Sequence, residues 1–244
     1  MRWSRRISFG QHMLIDSKIL EKIIEASQIS KNEIVCEAGT GNGFLTYELC
    51  KYAKLVTSFE IDNILFSNTR KSLFYLSNLN LVNEDLFKRY NLDFNVFVSN
   101  LPYSKSKNAF NWLPFQKLNR AIIMVQKEFA DKLQAIPGDQ NYRAISVITQ
   151  HCFDIQRLFD VNRKAFSPEP AVESVVIRLV PKCSRITKQT IKNMNFLFSQ
   201  RNKKASSVAK KFGIKFDFGD TRIDELSSGE LVKLVNLIEI ENSL

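Results

Sequence analysis

The chain has 244 residues, of which 44% are hydrophobic and 25% are charged. This length fits one large domain or a medium domain with a smaller one, and the composition excludes a disordered, collagen-like or low-complexity chain. The 35 Lys and Arg residues outnumber the 25 Asp and Glu residues, which gives a net charge of +10. This excess indicates a polyanionic partner, and it favours nucleic acid over an anionic membrane surface.

The four cysteines and two histidines are not spaced as a zinc site, because no two cysteines form a C-x-x-C pair. We therefore expect reduced thiols and no metal site. The basic N-terminus lacks the apolar segment of a signal peptide, and no apolar run approaches the roughly 20 residues that span a bilayer. These features predict a cytoplasmic protein without membrane contact.

Short apolar runs alternate with helical patterns through most of the chain. Asp16 is predicted to cap a first helix, and Asp62 a later helix that extends to about Leu76. The apolar runs predict strands at 33–37, 55–60, 80–83, 95–99, 121–125 and 175–180. Such alternation predicts an α/β fold, in which a mostly parallel, doubly wound sheet of Rossmann-like type is covered by helices on both faces.

The charge distribution changes near residue 182. Nine basic residues and no acidic residue lie between Arg185 and Lys215, whereas acidic residues predominate from Phe216 to the end. A boundary of this kind predicts a small helical domain with its own charge pattern. We therefore expect two domains, at residues 1–182 and 183–244.

A glycine-rich loop follows the first of these strands and precedes a predicted helix. It contains Gly39 and Gly41, where the absence of a Cβ atom lets the backbone turn tightly against a ligand. Its G-x-G-x-G spacing differs from the dinucleotide pattern G-x-G-x-x-G, and Glu37 beside it would repel a pyrophosphate. A tight turn without a ligand is the alternative interpretation.

Two acidic residues follow at the ends of the next two strands. Glu60 is placed to accept hydrogen bonds from both hydroxyls of a ribose, and Asp85 to accept one from an adenine amino group. The carboxyl ends of parallel strands meet at one edge of a sheet, so the loop and these acids predict an adenosine pocket there. S-adenosylmethionine fits such a pocket better than a nucleotide does.

The segment Asn100-Leu101-Pro102-Tyr103 directly follows the fourth predicted strand. The exocyclic amine of adenine is a poor nucleophile because its lone pair is delocalised into the ring. An Asn100 oxygen and a backbone carbonyl, held rigid by Pro102, would accept hydrogen bonds from that amine and localise the lone pair. Tyr103 would stack on a base taken out of its helix. A strand-to-loop turn without catalysis is the alternative.

Taken in order, these motifs resemble the ribosomal RNA adenine N6,N6-dimethyltransferase family, and the resemblance covers nearly the whole chain. The opening segment 9–14 is similar to the family's G-Q-N-F-L, with His12 and Met13 in place of Asn and Phe. The resemblance implies a class I S-adenosylmethionine-dependent methyltransferase fold with a small C-terminal helical domain that binds RNA. It also implies a set of cofactor contacts: Gln11, His12, Leu14, Glu37, Gly39, Gly41, Glu60, Asp85 and Asn100.

The segment 166–174 resembles the family's F-x-P-x-P-x-V-x-S signature. This resemblance implies that Phe166 stacks on the second face of the target base and completes a sandwich with Tyr103. Phe166 as an ordinary core residue is the alternative, because Phe is so often buried. The implied catalytic set is Asn100, Leu101, Pro102, Tyr103 and Phe166.

The segments 140–150 and 198–204 resemble the small-subunit branch of the family, which dimethylates two adjacent adenosines in a 3′-terminal hairpin. We therefore expect small-subunit ribosomal RNA or a pre-30S-type particle as the partner of a monomeric enzyme. Arg2, Arg5, Arg6 and the basic segment 185–215 are expected to follow RNA phosphates, as are Lys105 and Lys107. The alternatives are an adenine methylase of large-subunit RNA or DNA and a factor that binds nucleic acid without catalysis.

Overall fold

The structure is a computed structural model, and it describes residues 12–182, 186–214 and 218–241. The chain forms two compact units, one from residues 1–130 and 155–181 and the other from residues 131–154 and 182–244. The assignment of catalysis to residues 1–182 and of RNA binding to residues 183–244 remains a prediction.

Nine strands and nine helices occur in the described ranges. The strands are β1 (Met13–Leu14), β2 (Ile34–Ala38), β3 (Leu55–Phe59), β4 (Leu79–Val82), β5 (Val96–Asn100), β6 (Arg120–Gln126), β7 (Phe153–Val161), β8 (Phe166–Ser167) and β9 (Ser174–Pro181). The helices are α1 (Ser17–Ser27), α2 (Phe44–Tyr52), α3 (Asn63–Ser72), α4 (Ser106–Trp112), α5 (Lys127–Gln134), α6 (Ala144–Cys152), α7 (Lys188–Ser199), α8 (Ala205–Lys210) and α9 (Ser228–Glu241).

The main sheet has seven strands in the order β4-β3-β2-β5-β6-β9-β7. The five strands from β4 to β6 are parallel to their neighbours, and β9 is antiparallel to β6. Val35, Val96 and Ile123 are each 0% exposed. Helices cover both faces of a parallel sheet, so its strands are continuous apolar runs. The α/β fold predicted from those runs is confirmed.

Strand order places a crevice above β2. The chain passes from β2 to β3 and β4 on one side and then returns to pair β5 with the other side of β2. Loops that leave β2 and β5 therefore diverge at the carboxyl edge, which is where open α/β sheets bind ligands. The predicted site segments follow β2, β3 and β5 at this edge.

Helix caps agree with the sequence. The carboxylate of Asp16 accepts hydrogen bonds from the backbone at the start of α1, and that of Asp62 does so at the start of α3. α3 ends at Ser72, earlier than the expected Leu76, because Leu73 is the C-cap and its backbone N–H closes the last turn on the Thr69 carbonyl.

The second unit is helical, with a core of its own. Tyr142, Leu197, Val208 and Leu234 are each 0% exposed in it, and the Tyr142 hydroxyl donates to the Leu226 carbonyl. No helix within the described ranges has the length and apolarity to cross a bilayer.

Candidate active site

The glycine loop after β2 requires glycine at three positions, since Gly39, Gly41 and Gly43 all have a positive φ. Gly39 has φ +80° and Gly41 has φ +58°, a left-handed conformation that side chains rarely adopt. A Cβ atom on Gly39 would lie 3.3 Å from Pro102 Cδ, and one on Gly41 would lie 3.1 Å from Met13 Sδ. The loop is thus in close contact with both the opening segment and the Asn100–Tyr103 segment.

Glu37, at the base of this loop, is only 1% exposed. The hydroxyls of Thr46 and Ser58 both donate to its Oε2 at 2.6 Å, and no described donor reaches its Oε1. Burial raises the pKa of Glu37 to about 7, and the nearby carboxylate of Glu60 adds to the rise. A cationic ligand beside this carboxyl would favour its ionised form.

Glu60 joins the end of β3 to the glycine loop. Its Oε2 accepts from the backbone N–H of Gly41 and its Oε1 from that of Asp62, each at 2.9 Å. Burial raises the pKa of Glu60. A carboxylate has about four acceptor sites, so Glu60 retains acceptor capacity for a further donor such as a ribose hydroxyl.

Asp85 lies at the start of the short helical turn Leu86–Lys88. Its Oδ1 accepts from the backbone N–H of Phe87 at 3.1 Å, and its Oδ2 pairs with Lys105 Nζ at 2.9 Å. Lys105, which is expected to contact RNA phosphate, is joined by this ion pair to the acid predicted to contact adenine. The pairing depends on a turn that places two distant residues together, and no sequence signal indicates it.

Asn100 ends β5 and is half-buried. No described residue forms a hydrogen bond with its side-chain amide, which lines the pocket beside Pro102. The preceding residue is fixed, because the Ser99 hydroxyl donates to the Ala38 carbonyl at 2.6 Å. Leu101 is 1% exposed and anchors the segment in the core. The unused amide therefore projects from a rigid strand end.

Tyr103 is held at both ends of its ring. Its hydroxyl forms a hydrogen bond of 2.7 Å with Ser174 Oγ, and the His12 ring lies 5.5 Å from the Tyr103 ring at an interplanar angle of 32°. Burial raises the pKa of the Tyr103 hydroxyl, so it stays protonated at neutral pH. A fixed aromatic face of this kind suits base stacking.

Phe166 belongs to the core and to the pocket at once. It is 3% exposed, pairs with Leu14 across β1 and β8, and packs in the same hydrophobic cluster. It also lines the pocket that contains Tyr103. Core packing and contact with a ligand are therefore compatible for this residue.

His12 has a contact that sequence reasoning missed. Its Nδ1 lies 2.8 Å from the Pro168 carbonyl oxygen, so the ring ties the opening segment to the 166–174 signature. Gln11, Arg2, Arg5, Arg6, Arg185 and Lys215 lie outside the described residues.

Two adjoining depressions contain all the predicted site residues that the structure describes. The first is lined by His12, Leu14, Glu37, Gly39, Gly41, Glu60, Asn100, Leu101, Pro102, Tyr103 and Phe166. The second contains Asp85 among the apolar side chains of Ile61, Leu86 and Phe87. Glu60 and Gly39 line both depressions, which makes one continuous site. Met13, Thr40 and Asn42 also line the site and lie within the predicted motifs, although they were not named as contacts. Sequence reasoning missed Phe44, Ile61 and Phe87, which have no motif of their own.

The chemistry of this site fits S-adenosylmethionine. The second depression offers apolar walls and an acid for an adenine, Glu60 retains acceptor capacity for a ribose, and the glycine loop leaves room for backbone contact. No group of three or more His, Cys, Asp or Glu residues in the described ranges is arranged to hold a metal ion.

Three features define a class I S-adenosylmethionine-dependent methyltransferase. They are the parallel sheet whose strand order reverses at β2, the glycine loop after β2, and Glu60 after β3. The chain belongs to the ribosomal RNA adenine dimethylase family, whose model matches residues 2–236. The predicted family, enzyme class and cofactor are thereby confirmed.

Two relatives are named for the small ribosomal subunit. The ribosomal RNA small subunit methyltransferase A of Thermotoga neapolitana is 32% identical over 232 residues, which are 93% of this chain and 89% of that protein. The probable enzyme of that name from Pyrococcus abyssi is 37% identical over 177 residues. This match covers 72% of the chain but 65% of the relative's length.

Two solved structures resemble this one. A dimethyladenosine transferase from Plasmodium falciparum has a TM-score of 0.79 and 27% identity, with coverage of 95% of this chain and 98% of that chain. The 23S rRNA methyltransferase ErmE has a TM-score of 0.65 and 23% identity, with coverage of 93% and 99%. The second likeness shows the fold alone.

Proposed function

We propose that the protein dimethylates the N6 amines of two adjacent adenosines in the 3′-terminal hairpin of small-subunit ribosomal RNA. The unused amide of Asn100, fixed at the tip of β5 beside the donor pocket, is the observation that carries the proposal. The names of the full-length relatives favour the small subunit over the large one. The enzyme would act as a cytoplasmic monomer on a pre-30S-type particle.

Four groups would hold the methyl donor. Glu60 accepts from the ribose hydroxyls, Asp85 accepts from the adenine amino group, and the backbone at Gly39 and Gly41 lies against the donor. S-adenosylmethionine supplies a methyl group on a positively charged sulfur. Glu37 lines the same pocket and, when it is ionised, provides a buried negative charge that favours a cationic donor.

Asn100 would act on the target adenine. Its side-chain oxygen accepts a hydrogen bond from the N6 amine, and the Leu101 backbone carbonyl accepts a second one. These bonds reduce delocalisation of the nitrogen lone pair into the ring, and their acceptors need no rearrangement because Gly39 packs against Pro102. The site therefore requires no general base with a shifted pKa.

Tyr103 and Phe166 would hold the base. The Tyr103 ring is fixed by Ser174 and lines the same pocket as Phe166, so the two rings would stack on the two faces of an extruded adenine. Extrusion breaks stacking interactions in the RNA, and stacking on the two rings would replace them. His12 supports Tyr103 from the opening segment.

Basic residues outside the pocket would bind RNA phosphates. Lys107 is exposed on α4, directly after the Asn100–Tyr103 segment. Lys105 pairs with Asp85, so its contact with RNA would require exchange of one anion for another. Binding through such contacts depends strongly on salt and little on sequence.

The decisive experiment is mass spectrometry of both ribosomal RNAs from cells that lack this protein. We expect N6,N6-dimethyladenosine to disappear from the 3′-terminal fragment of the small-subunit RNA. Wild-type protein and Asn108→Ala, a change at an exposed Asn on α4, should restore it, whereas Asn100→Ala should not. Loss from the large-subunit RNA instead, or no loss from either RNA, would overturn the proposal.

A further inference from the structure

An exposed aromatic patch lies on and just after α3. Phe74 is 82% exposed and Tyr75 is 59% exposed, and their ring centroids lie 5.9 Å apart at an angle of 89°. Phe66, Arg70, Lys71 and Phe74 surround an open depression at the same place. We define the flank patch as Phe66, Arg70, Lys71, Phe74 and Tyr75.

Helical spacing explains why the flank patch faces outward. Leu65, Thr69 and Leu73 recur every four residues and are buried, and the Thr69 hydroxyl donates to the Gly41 carbonyl at 2.9 Å. A Cβ atom on Gly43 would lie 3.0 Å from Leu73 Cδ1. α3 thus packs one face on the glycine loop, and Phe66, Arg70 and Phe74 form the next row around the helix.

This position puts the flank patch beside the donor site and outside it. None of its members lines either depression of the candidate active site. Fold stability does not account for its two most exposed rings, because Phe74 and Tyr75 leave most of their apolar surface in water. Neighbouring exposed aromatics mark a contact surface more often than isolated ones do.

The charges of the flank patch favour an anionic partner. The sequence has no Asp or Glu between Asn63 and Asn83, and neither Arg70 nor Lys71 forms an ion pair within the described ranges. The two cations also suit the C-terminal end of a helix, but that does not require aromatic side chains next to them.

We propose that the flank patch binds an unpaired segment of the RNA substrate that adjoins the target adenosines. Bases stack on Phe74 and Tyr75, and phosphates pair with Arg70 and Lys71, the combination by which proteins hold single strands with little sequence preference. The inference rests on the proposed function for the identity of the RNA. The flank patch positions the substrate, so it affects the binding of RNA and leaves the methyl-transfer step unchanged.

A tryptophan at the patch gives a direct test in the full-length protein. In Phe74→Trp the indole replaces one stacking face, and a single-stranded oligouridylate should quench its emission. The double change Arg70→Glu and Lys71→Glu in the same background should weaken this quenching at least tenfold. It should also lower the slope of log affinity against log salt by about 1.4, since each phosphate contact contributes about 0.7 for single strands.

Kinetics on the natural substrate provide the second readout. With small ribosomal subunits from cells that lack the protein, Phe74→Ala combined with Tyr75→Ala should raise KM about tenfold and leave kcat within twofold of wild type. Tyr90→Ala, at an exposed aromatic outside the patch, and Lys18→Glu, at an exposed cation on α1, are the matched controls. Both should behave as wild type.

Three results would overturn the inference. In the first, oligouridylate leaves the emission of Phe74→Trp unchanged, whereas the patch variants still bind ribosomal subunits more weakly than wild type does. This result would indicate a protein partner. The second is quenching that rises with protein concentration in the absence of RNA, which indicates self-association. The third is an unchanged KM. The quenching experiment does not depend on the methylation target, so failure of the proposed function remains separable from failure of the flank patch.

Discussion

Replacing Glu37 with Gln should stabilise the protein above pH 7 and weaken its binding of the donor. Glu37 is 1% exposed, and burial raises its pKa from 4.5 to about 7. Each pKa unit corresponds to about 1.4 kcal/mol, so ionising this carboxyl costs the folded state about 3 kcal/mol as an upper limit. The Gln oxygen can still accept from Thr46 and Ser58 without carrying a charge.

The sign of the effect follows from proton binding. Between pH 4.5 and about 7 the folded protein holds a proton on Glu37 that the unfolded chain has released. The free energy of unfolding therefore falls as pH rises through this window and levels off above it. Glu37→Gln lacks this contribution, so its advantage over wild type should be near zero at pH 4.5 and greatest at pH 8.

Thermal unfolding at a series of pH values measures the difference in stability between Glu37→Gln and wild type. Calorimetry at pH 8 measures the donor affinity of the two proteins. For a domain of this size 1 kcal/mol corresponds to about 2–4 °C, so we expect Glu37→Gln to melt at least 5 °C higher at pH 8. Its donor affinity should fall about tenfold, because a cationic ligand loses a buried counter-charge. Glu48→Gln, at the ion pair of Glu48 with Lys51, is the control. Parallel pH profiles for wild type and Glu37→Gln, or unchanged donor affinity, would refute the reasoning.

Three further predictions concern other parts of the site and its scaffold. Gly39→Ala should reduce donor affinity at least tenfold in calorimetry, whereas Gly138→Ala, which has a similar φ of +83° but open space around it, should cost only stability; equal losses would contradict this. Asp85→Ala should reduce the preference for an adenosine donor over its inosine analogue about tenfold, and an unchanged ratio of the two affinities would remove Asp85 from the adenine contact. Arg120→Met should destabilise the protein by about 2–3 kcal/mol at pH 7 and by less as pH falls from 4.5 to about 2, because Arg120 holds the pKa of Glu33 at about 2. A difference in denaturant unfolding that stays constant down to pH 2 would argue against this role.

The sequence predicted those features that depend on local chemistry. Asp16 and Asp62 cap helices because a carboxylate reaches the free backbone N–H groups two or three residues ahead. The position of the glycine loop also follows from a strand, a turn and a helix in succession. The strands of the parallel core were visible because burial on both faces leaves continuous apolar runs.

Contacts between distant segments could not be predicted. Thr46 and Ser58 donate to Glu37 only because α2 and β3 are both folded against β2. The Lys105–Asp85 pair and the bond between His12 and Pro168 likewise join segments far apart in sequence. β7 gave no signal, because its nine residues are mostly half-buried or exposed and lack a continuous apolar run.

The chain is also grouped differently in space than its charge pattern suggests. Residues 131–154 belong to the second compact unit, together with residues 182–244. Tyr142, Val147 and Ile148 enter the core of that unit. Charge blocks along a sequence report surface composition, whereas the units depend on which apolar side chains share a core.

Single-turnover methyl transfer by Asn100→Ala, with donor affinity measured on the same protein, tests most directly whether the tip of β5 activates the adenine amine. The substrate is the small ribosomal subunit from cells that lack the protein. We expect a rate at least 100-fold below that of wild type and of Asn108→Ala, with a donor Kd within threefold of wild type. A normal rate would contradict the role of Asn100, and so would a reduced rate that saturating donor returns to the wild-type value.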